Sequence, residues 1–317
     1  MATEAELIQS FLRFVGPPGN RLNDDAYLDY SLGQVLSTDL FIEGQHFDFN
    51  YYTPHEVGWK CLAGALSDIA AMGAKAQYAL ISLGLPSTIE AEDVQTFYEG
   101  IQACLNALGL PPIVCGGDTV RSPIWVINVT VTGLLRAVTH AGFRTGAQVG
   151  DWIVASGFHG LSAAGLWQFQ QNGKKPLSPE TDICRQAHLK PLPKLTLGEW
   201  FAEFMPRYSL MDSSDGLADA LIKLSLASEV RFDVAANQIP LHPAMCQVAA
   251  QVGIAPINWA LYGGEDYELV GTVPPNSTLP AGVVQLGVVS SGTGAWLHHP
   301  EGAVTEMTLS QTFQHFH

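Results

Sequence analysis

The chain has 317 residues, of which 47% are hydrophobic and only 14% are charged. This length allows two domains that each bury a core, and the composition excludes a disordered chain. Acidic residues outnumber basic residues by 30 to 15, and the net charge of -15 argues against a general surface for nucleic acids or anionic membranes. If the protein binds phosphates, cations must mediate the contact.

The cysteines and the apolar segments indicate the cellular compartment. None of the five cysteines forms a Cys-x-x-Cys pair, and most lie within apolar runs, which favours reduced, buried thiols over disulfides or a thiolate metal site. No apolar run approaches the length of a membrane span, and the first residues show no signal-peptide pattern. We therefore expect a cytoplasmic protein.

The first predicted elements place a pair of acids near the start of the chain. An amphipathic helix predicted over residues 3–14 is followed by a turn and by Asp24 and Asp25, at the edge of a strand. Because neighbouring residues of a strand face opposite sides, a shared role for the two acids requires a loop or a bulge. A solvated turn is the alternative interpretation.

A buried strand predicted over residues 34–39 ends in Ser37, Thr38 and Asp39. Functional residues often gather where strands end, so this triplet is a candidate for a binding site. His46 follows shortly after, and a lone histidine in such a segment is more often a surface or structural residue than a ligand.

A helix of small residues carries Asp68 close to its C-terminal end. Thr53 and Glu56 form a capping box at the start of this helix, and Gly73 stops it. The helix dipole disfavours a carboxylate at that end by up to about 1 kcal/mol, and burial among alanines and leucines adds to the cost. We therefore predict a metal ion beside Asp68; a solvated or arginine-paired carboxylate is the alternative.

The rest of the first half alternates between strands and helices. Strands are predicted over residues 77–83, 112–115 and 124–132, with a helix capped by Ser87 between the first two. The strand over 112–115 stops at Gly116, Gly117 and Asp118, where paired glycines would let the backbone approach a ligand. The pattern predicts an α/β or α+β domain over residues 1–143.

A second domain is predicted over residues 144–317, after a glycine-punctuated segment that begins at Arg144. A strand over 152–155 and a helix from about 161 enclose a turn that is too incomplete for a phosphate loop. Asp212, Ser214 and Asp215 then precede another helix, where they either cap it or hold a phosphate and a cation. Glu265 follows a tight turn before the next strand.

Six acids share one setting, next to small residues or hydroxyls at the end of a predicted element. They are Asp25, Asp39, Asp68, Asp118, Asp212 and Asp215. If they converge, each close pair repels by roughly 4 kcal/mol, which calls for counter-ions, and hard oxygen ligands suit Mg²⁺ rather than zinc. Magnesium held by carboxylates and hydroxyls points to phosphate substrates and to phosphoryl transfer.

Seven motifs, in the order of the chain, resemble the thiamine-monophosphate kinase family. They occupy residues 23–26, 37–47, 66–73, 116–119, 144–147, 212–216 and 263–269. The resemblance extends over nearly the whole chain, and seven ordered motifs are far more specific than any one of them. Two positions differ from the family pattern, with Asn23 in place of a glycine and Tyr27 in place of a small residue.

This resemblance implies an ATP-dependent kinase that converts thiamine monophosphate to thiamine diphosphate with the help of several Mg²⁺ ions. It also implies a fold like that of aminoimidazole ribonucleotide synthetase, with two α+β domains. In that fold the N-terminal domains of a homodimer pair through a β-barrel, and ATP binds in the cleft. Because the acceptor is itself a phosphate, we expect neither a catalytic base nor a covalent nucleophile.

The resemblance also implies roles for individual residues. The implied magnesium ligands are Asp25, Ser37, Thr38, Asp39, Asp68, Asp118, Asp212 and Asp215. The implied contacts to ATP are Gly117, Arg144 and Ser214, and those to thiamine monophosphate are His46, Glu265 and Phe313. Asp39, Asp118 and Arg144 are the residues assigned to catalysis, because bridging cations and an arginine reduce the repulsion between two polyanions.

Other readings remain open at this point. Selenophosphate synthetase and the hydrogenase-maturation dehydratase have related folds, but the first is expected to carry a reactive cysteine near its start and the second a terminal cysteine. The first cysteine here is Cys61, and the sequence ends in His317. Beyond these related ATP-dependent enzymes, the chain could be a non-catalytic protein that binds nucleotides or metals with the same fold.

Overall fold

The structure is a computed structural model, and it describes residues 24–175 and 177–312. The helix predicted over residues 3–14, Asn23 and the substrate contact predicted at Phe313 lie outside the described residues. Within the described residues, twelve strands form two sheets, and eight α-helices pack around them. The mixed α+β class expected from the alternating pattern is confirmed.

The first sheet has five strands in the order β1-β2-β5-β3-β4. They are β1 (Tyr27–Asp29), β2 (Gln34–Ile42), β3 (Lys75–Leu85), β4 (Val114–Arg121) and β5 (Val126–Leu134). All neighbours pair antiparallel except β3 and β4, which are parallel. The short β1 pairs only with residues 34–36 of β2, so the later part of β2 forms one edge of the sheet and β4 forms the other.

One face of this sheet is covered by the helices α1 (Pro54–Ala71) and α2 (Ala91–Ala107). Thr53 and Glu56 form the predicted capping box at the start of α1. The predicted cap of α2 at Ser87 is wrong, because Glu90 is the N-cap residue and pairs with Asp93 in a capping box of its own.

The opposite face of the sheet carries large apolar side chains in contact with solvent. Tyr78, Leu80 and Val120 are 56%, 46% and 58% exposed, and Leu40 is 52% exposed. Exposed apolar residues contiguous across several strands are unusual on a monomer and typically mark an interaction surface. We call this surface the outward face and the helix-covered surface the inward face.

Two predicted strand ends differ from the structure. β2 continues past Asp39 to Ile42, because Phe41 extends the inward-facing alternation of Val35. The strand predicted over residues 112–115 instead runs from Val114 to Arg121, so the Gly-Gly-Asp motif lies within an edge strand. A Cβ on Gly117 would lie 1.7 Å from the carbonyl oxygen of Ile81, so this glycine permits close pairing of β4 with β3.

The second sheet has seven strands in the order β12-β11-β8-β10-β6-β9-β7. They are β6 (Trp152–Ser156), β7 (Ser209–Asp212), β8 (Arg231–Ala235), β9 (Leu269–Val273), β10 (Val283–Ser290), β11 (Gly294–His298) and β12 (Val304–Glu306). The accompanying helices are α3 (Leu161–Asn172), α4 (Pro179–Leu189), α5 (Leu195–Phe204), α6 (Leu217–Ser228), α7 (Pro243–Val252) and α8 (Pro256–Tyr262).

The apolar core of the first sheet extends into the second half of the chain. It includes Leu189 of α4, Leu195 and Phe201 of α5, and Leu210 of β7. The boundary between domains at residues 143 and 144 therefore stays a prediction. None of the helices in the described ranges is both long and apolar enough to cross a membrane, and the cytoplasmic location also stays a prediction.

Candidate active site

A cavity of about 420 Å³ opens where β2 and α1 meet α3 and two acidic loops of the second half. Its lining brings together eight of the predicted site residues from distant parts of the chain. They are Thr38, Asp39, His46, Asp68, Asp212, Ser214, Asp215 and Glu265. Both groups of predicted ligands, those for metal and those for thiamine monophosphate, therefore reach one space.

The carboxylates at one end of this cavity project from β2, α1 and β7. Ser37 and Asp39 have the same strand parity as the buried Val35 and Phe41, so they face inward, towards α1. The Ser37 hydroxyl donates a hydrogen bond to Asp68, close to the C-terminal end of α1. We call Asp39, Asp68 and Asp212 the acidic end of the cavity.

The loop after β7 contributes Asp212 and Asp215 without using them as helix caps. Helix α6 begins after Gly216, and no side chain caps it, so the interpretation of this loop as a simple cap is wrong. The backbone N–H of Ser213 donates instead to the carbonyl oxygen of Glu268 at 2.8 Å. Lys223 of α6 lies 3.4 Å from an oxygen of Asp215 and 2.7 Å from one of Asp219.

Arg144 meets the adjacent acids of the first loop. Its backbone N–H donates to Asp24 at 2.8 Å, and its side chain donates to Asp25 through Nε at 3.0 Å and through a second guanidinium nitrogen. Asp24 and Asp25 lie in a bend before β1, so both acids can contact Arg144. This agrees with the expectation that a shared role for the two acids requires a loop. Burial lowers the pKa of Arg144, but the charge and hydrogen bond of Asp25 raise it above its usual value overall.

The acidic end is only partly compensated within the described part of the chain, where the charge of Arg144 opposes the rise that burial causes in the pKa of Asp212, without an ion pair between them. No lysine, arginine or histidine there forms an ion pair with Asp39, Asp68 or Asp212. Burial raises the pKa of Asp39 to about 6 and, together with the charge of Asp25, raises that of Asp212 to about 8. Burial and the charges of Asp39 and Asp212 hold the pKa of Asp68 well above its usual range.

Such a cluster suits a hard cation. Ionised carboxylates that are buried beside like charges without a counter-ion are costly, and carboxylate and hydroxyl oxygens are the ligands that Mg²⁺ prefers. Within the described ranges, the side chains do not already stand at metal-ligating distances as a group of three or more. The chemistry of the donor atoms therefore fits magnesium, although the described side chains are not arranged at coordinating distances.

The other end of the cavity is built on a loop whose acids all have partners. Glu265 forms an ion pair with Lys60 at 2.7 Å, and Lys194 pairs with Glu268 at 3.0 Å. The carboxylate of Asp266 accepts hydrogen bonds from the backbone N–H groups of Gly160 and Ser162, at the start of α3. We call the segment 265–268 the paired end.

Sequence reasoning missed Lys60 and Asp266. Lys60 is the one charged residue in the stretch of α1 from Val57 to Ser67. A single charge among apolar and small residues is the signal that could have identified it. Asp266 adjoins the predicted Glu265, but only the fold brings it to the N-terminus of α3. Burial raises the pKa of Asp266 to about 7, and its two backbone hydrogen bonds oppose that rise.

Some predicted residues lie elsewhere. The hydroxyl of Thr38 points to the outward face, where it lies 2.9 Å from that of Thr130 and accepts from Asn128. Gly117 and Asp118 lie on β4, and Asp118 lines a separate surface pocket with Ser82 and Asn128. Phe313 lies outside the described residues.

Comparisons with known proteins identify the family of this chain. Residues 23–135 match the family model described as AIR synthase related protein, N-terminal domain. The chain is 37% identical to the thiamine-monophosphate kinase of Synechococcus elongatus over 278 residues, which cover 85% of this chain and 80% of that protein. It is 34% identical to the thiamine-monophosphate kinase of Bacillus subtilis over 257 residues, covering 80% of this chain and 77% of that protein.

Among solved structures, that of AaThiL complexed with AMPPCP and TMP superposes with a TM-score of 0.88 at 29% identity, covering 99% of this chain and 97% of that one. The fold and the cavity therefore define a protein of the AIR synthase-related class. Within that class, the chain belongs to the thiamine-monophosphate kinase family, and it is an enzyme of that kind.

Proposed function

We propose that this enzyme transfers the γ-phosphoryl group of ATP to thiamine monophosphate, by direct in-line attack and with Mg²⁺, to give thiamine diphosphate. The observation that carries the proposal is the single cavity that joins the acidic end to His46 and Glu265. The similar structure of AaThiL complexed with AMPPCP, an analogue of ATP, and TMP supports the same pair of substrates.

The acids of the cavity would hold the metal ions. Asp39, Asp68 and Asp212, with Asp25, Ser37 and Asp215 around them, would hold Mg²⁺. When bound, Mg²⁺ supplies the positive charge that lets two phosphate groups approach each other.

Arg144 adds a permanent positive charge beside Asp25, and with Ser214 it would contact the nucleotide phosphates. The acceptor phosphate is already ionised near neutral pH, so the protein needs only to align it and to screen its charge. His46 and Glu265 would position the organic part of thiamine monophosphate at the far end of the cavity.

The direct test is turnover. Purified protein is incubated with ATP, Mg²⁺ and thiamine monophosphate, and thiamine diphosphate is measured by chromatography, with free thiamine as a parallel substrate. We expect diphosphate from the monophosphate only, and its loss on chelation of divalent cations. A folded sample that binds ATP but forms no thiamine diphosphate or ADP would contradict the proposal and favour a non-catalytic role.

We further propose a homodimer that closes through the outward face. The exposed apolar residues Leu40, Tyr78, Leu80 and Val120 would be buried if two five-stranded sheets met face to face as a β-barrel. With the twofold axis along the barrel, the β4 edge of one sheet meets the free edge of the partner's β2, which ends near the cavity.

This arrangement accounts for Asp118. Within one subunit, Asp118 lies on the outward face, three strands from Leu40 and thus roughly 14 Å across the sheet from β2. We infer that Asp118 and Gly117 serve the site of the partner subunit, where the two sheet edges meet.

Mixed dimers show whether Asp118 serves the site of its own subunit or that of the partner subunit. Asp68→Asn and Asp118→Ala are each expected to abolish activity as homodimers, but their heterodimer contains one site with both residues intact if Asp118 acts across the interface. Co-expression should therefore restore activity. No recovery in a heterodimer whose assembly is verified by mass spectrometry would place Asp118 in its own subunit's site or outside catalysis.

A further inference from the structure

At the paired end of the cavity, Glu265 forms an ion pair with a lysine that is shielded from solvent. Lys60 of α1 is 1% exposed, and its ammonium group lies 2.7 Å from Glu265, 2.7 Å from the carbonyl oxygen of His46 and 2.9 Å from the Tyr52 hydroxyl. An ammonium group has three donors, so these three acceptors satisfy it completely. It therefore has no donor left for a ligand.

Two of the three partners of Lys60 belong to residues that would contact thiamine monophosphate, namely Glu265 and His46. His46 lies just after β2, and Glu265 lies in a loop of the second half, so one side chain ties together two walls of the cavity from distant parts of the chain. The imidazole of His46 also accepts the backbone N–H of Ile42 at 3.0 Å, which fixes the segment that Lys60 contacts.

The loop that carries Glu265 is held in a backbone conformation that needs such support. Glu265 and Tyr267 have φ values of 66° and 51°, a left-handed region that is unfavourable for residues with a side chain. Their backbone N–H groups donate to the carbonyl oxygens of Ser214 and Ser213 at 2.6 and 3.2 Å. Strained residues of this kind persist where the surroundings over-determine them, and they cluster at ligand sites.

We propose that Lys60 is the positioning residue of the thiamine monophosphate subsite, and that it acts through Glu265 and the His46 segment. This inference rests on the proposed function. Lys60 balances the charge of Glu265. The carboxylate therefore serves as a fixed hydrogen-bond acceptor for the substrate, and it does not present a net negative charge to the cationic thiazolium ring.

The main test is a kinetic cycle with Lys60→Met, Glu265→Gln and the double variant. We expect Lys60→Met to raise KM for thiamine monophosphate about tenfold or more while KM for ATP stays within about twofold, because the metal and nucleotide end lies on other elements. If Lys60 acts through Glu265, the double variant should be no worse than the more severe single variant.

Two further variants serve as a milder change and as a control for this test. Lys60→Met removes the lysine partner of Glu265 from the interior and risks misfolding, although His188 Nδ1 still lies 3.5 Å from that carboxylate. Tyr52→Phe, in contrast, removes one acceptor of Lys60 and should raise KM for thiamine monophosphate a fewfold in a folded enzyme. Lys194→Met is the matched control, since it breaks the lysine pair of Glu268, a residue that does not line the cavity. We expect it to leave KM for thiamine monophosphate within about twofold.

Hydrogen exchange gives a readout that needs no turnover. The amides of Glu265 and Tyr267 should exchange faster in Lys60→Met than in wild type and Lys194→Met. Equal rises in KM for both substrates, or additive effects in the cycle, would reduce Lys60 to a structural residue and overturn the inference. Wild-type protein without kinase activity would instead overturn the proposed function, on which the inference depends.

Discussion

The acidic end of the cavity and the segment 265–268 behind its other end each carry three acids, but the acids have different partners in the two places. At the paired end, Glu265, Asp266 and Glu268 each meet a lysine or backbone N–H groups. At the acidic end, Asp212 is buried and Asp39 and Asp68 are half-buried, none of the three forms an ion pair within the described residues, and their pKa values are all raised. This difference in ion pairing supports the proposal that the second set of acids holds an external cation.

The largest expected effect comes from neutralising one acid at the acidic end. Asp68→Asn should lower kcat by about 100-fold or more, because it removes a ligand from the charge-screening site. The same change should leave the melting temperature of the metal-free protein unchanged or raise it, because it removes a buried carboxylate with a raised pKa. Steady-state kinetics and thermal unfolding in EDTA measure the two effects. A fully active Asp68→Asn enzyme would contradict the role of the acidic end.

The next effect is on stability as a function of pH. A raised pKa means that the folded protein holds a proton more tightly than the unfolded chain, so stability is lost as pH rises through the folded value. The pKa values of Asp39, Asp266 and Asp212 are about 6, 7 and 8. We therefore expect the metal-free protein to gain on the order of 4 kcal/mol of unfolding free energy between pH 8 and pH 6.

Magnesium should reverse this trend, because it binds the ionised carboxylates and stabilises only the folded state. Thermal unfolding at pH 6, 7 and 8, in EDTA and in excess Mg²⁺, makes the comparison. We expect the rise in melting temperature on adding Mg²⁺ to be larger at pH 8 than at pH 6. A metal-free protein that is most stable at pH 8 would show that the acidic end is compensated in some other way.

At the paired end, an acid serves the fold. Asp266→Ala should cost about 1–2 kcal/mol of unfolding free energy, because it leaves the N–H groups of Gly160 and Ser162 without their acceptor at the start of α3. Urea unfolding should show the same loss with and without Mg²⁺, in contrast to Asp68→Asn. A loss confined to the magnesium-bound form would move Asp266 into the metal site and erase the difference between the two ends.

Local rules predicted much of the fold. The capping box of α1 at Thr53 and Glu56 and the start of α3 at Leu161 followed from signals within a few residues. The same rules could not separate Asp68 from Asp266, because the local sequence does not show which groups an acid meets in the folded protein. Only the three-dimensional neighbours differ: Asp68 meets other carboxylates, whereas Asp266 meets the N-terminus of a helix more than 100 residues earlier in the chain.

β4 shows a second limit of sequence reasoning. Paired glycines before an acid are typical of a loop that approaches a ligand, but here Gly117 allows one strand to approach another. Whether an acid on an exposed edge such as Asp118 belongs to a site depends on what covers that edge, and a second copy of the chain is invisible to any local pattern. Strand parity, in contrast, was readable: it separates Thr38 from Ser37 and Asp39 once β2 is known to continue to Ile42.

The smallest expected effect tests that parity. Ser37→Ala removes the hydroxyl that bonds Asp68 on the inward face, whereas Thr38→Val removes one that bonds Thr130 and Asn128 on the outward face. We expect Ser37→Ala to raise the Mg²⁺ concentration for half-maximal activity about tenfold, because losing a hydrogen bond to a charged ligand costs about 1.5 kcal/mol. Thr38→Val should change it less than about threefold.

Titration of activity with Mg²⁺ at saturating substrates compares these neighbouring residues. Thr38 lines the cavity, although its hydroxyl bonds Thr130 and Asn128 on the outward face. A Thr38→Val enzyme that needs as much extra Mg²⁺ as Ser37→Ala would mean that its side chain turns inward when the metal binds. The acidic end would then extend through the sheet to the face on which two subunits would meet.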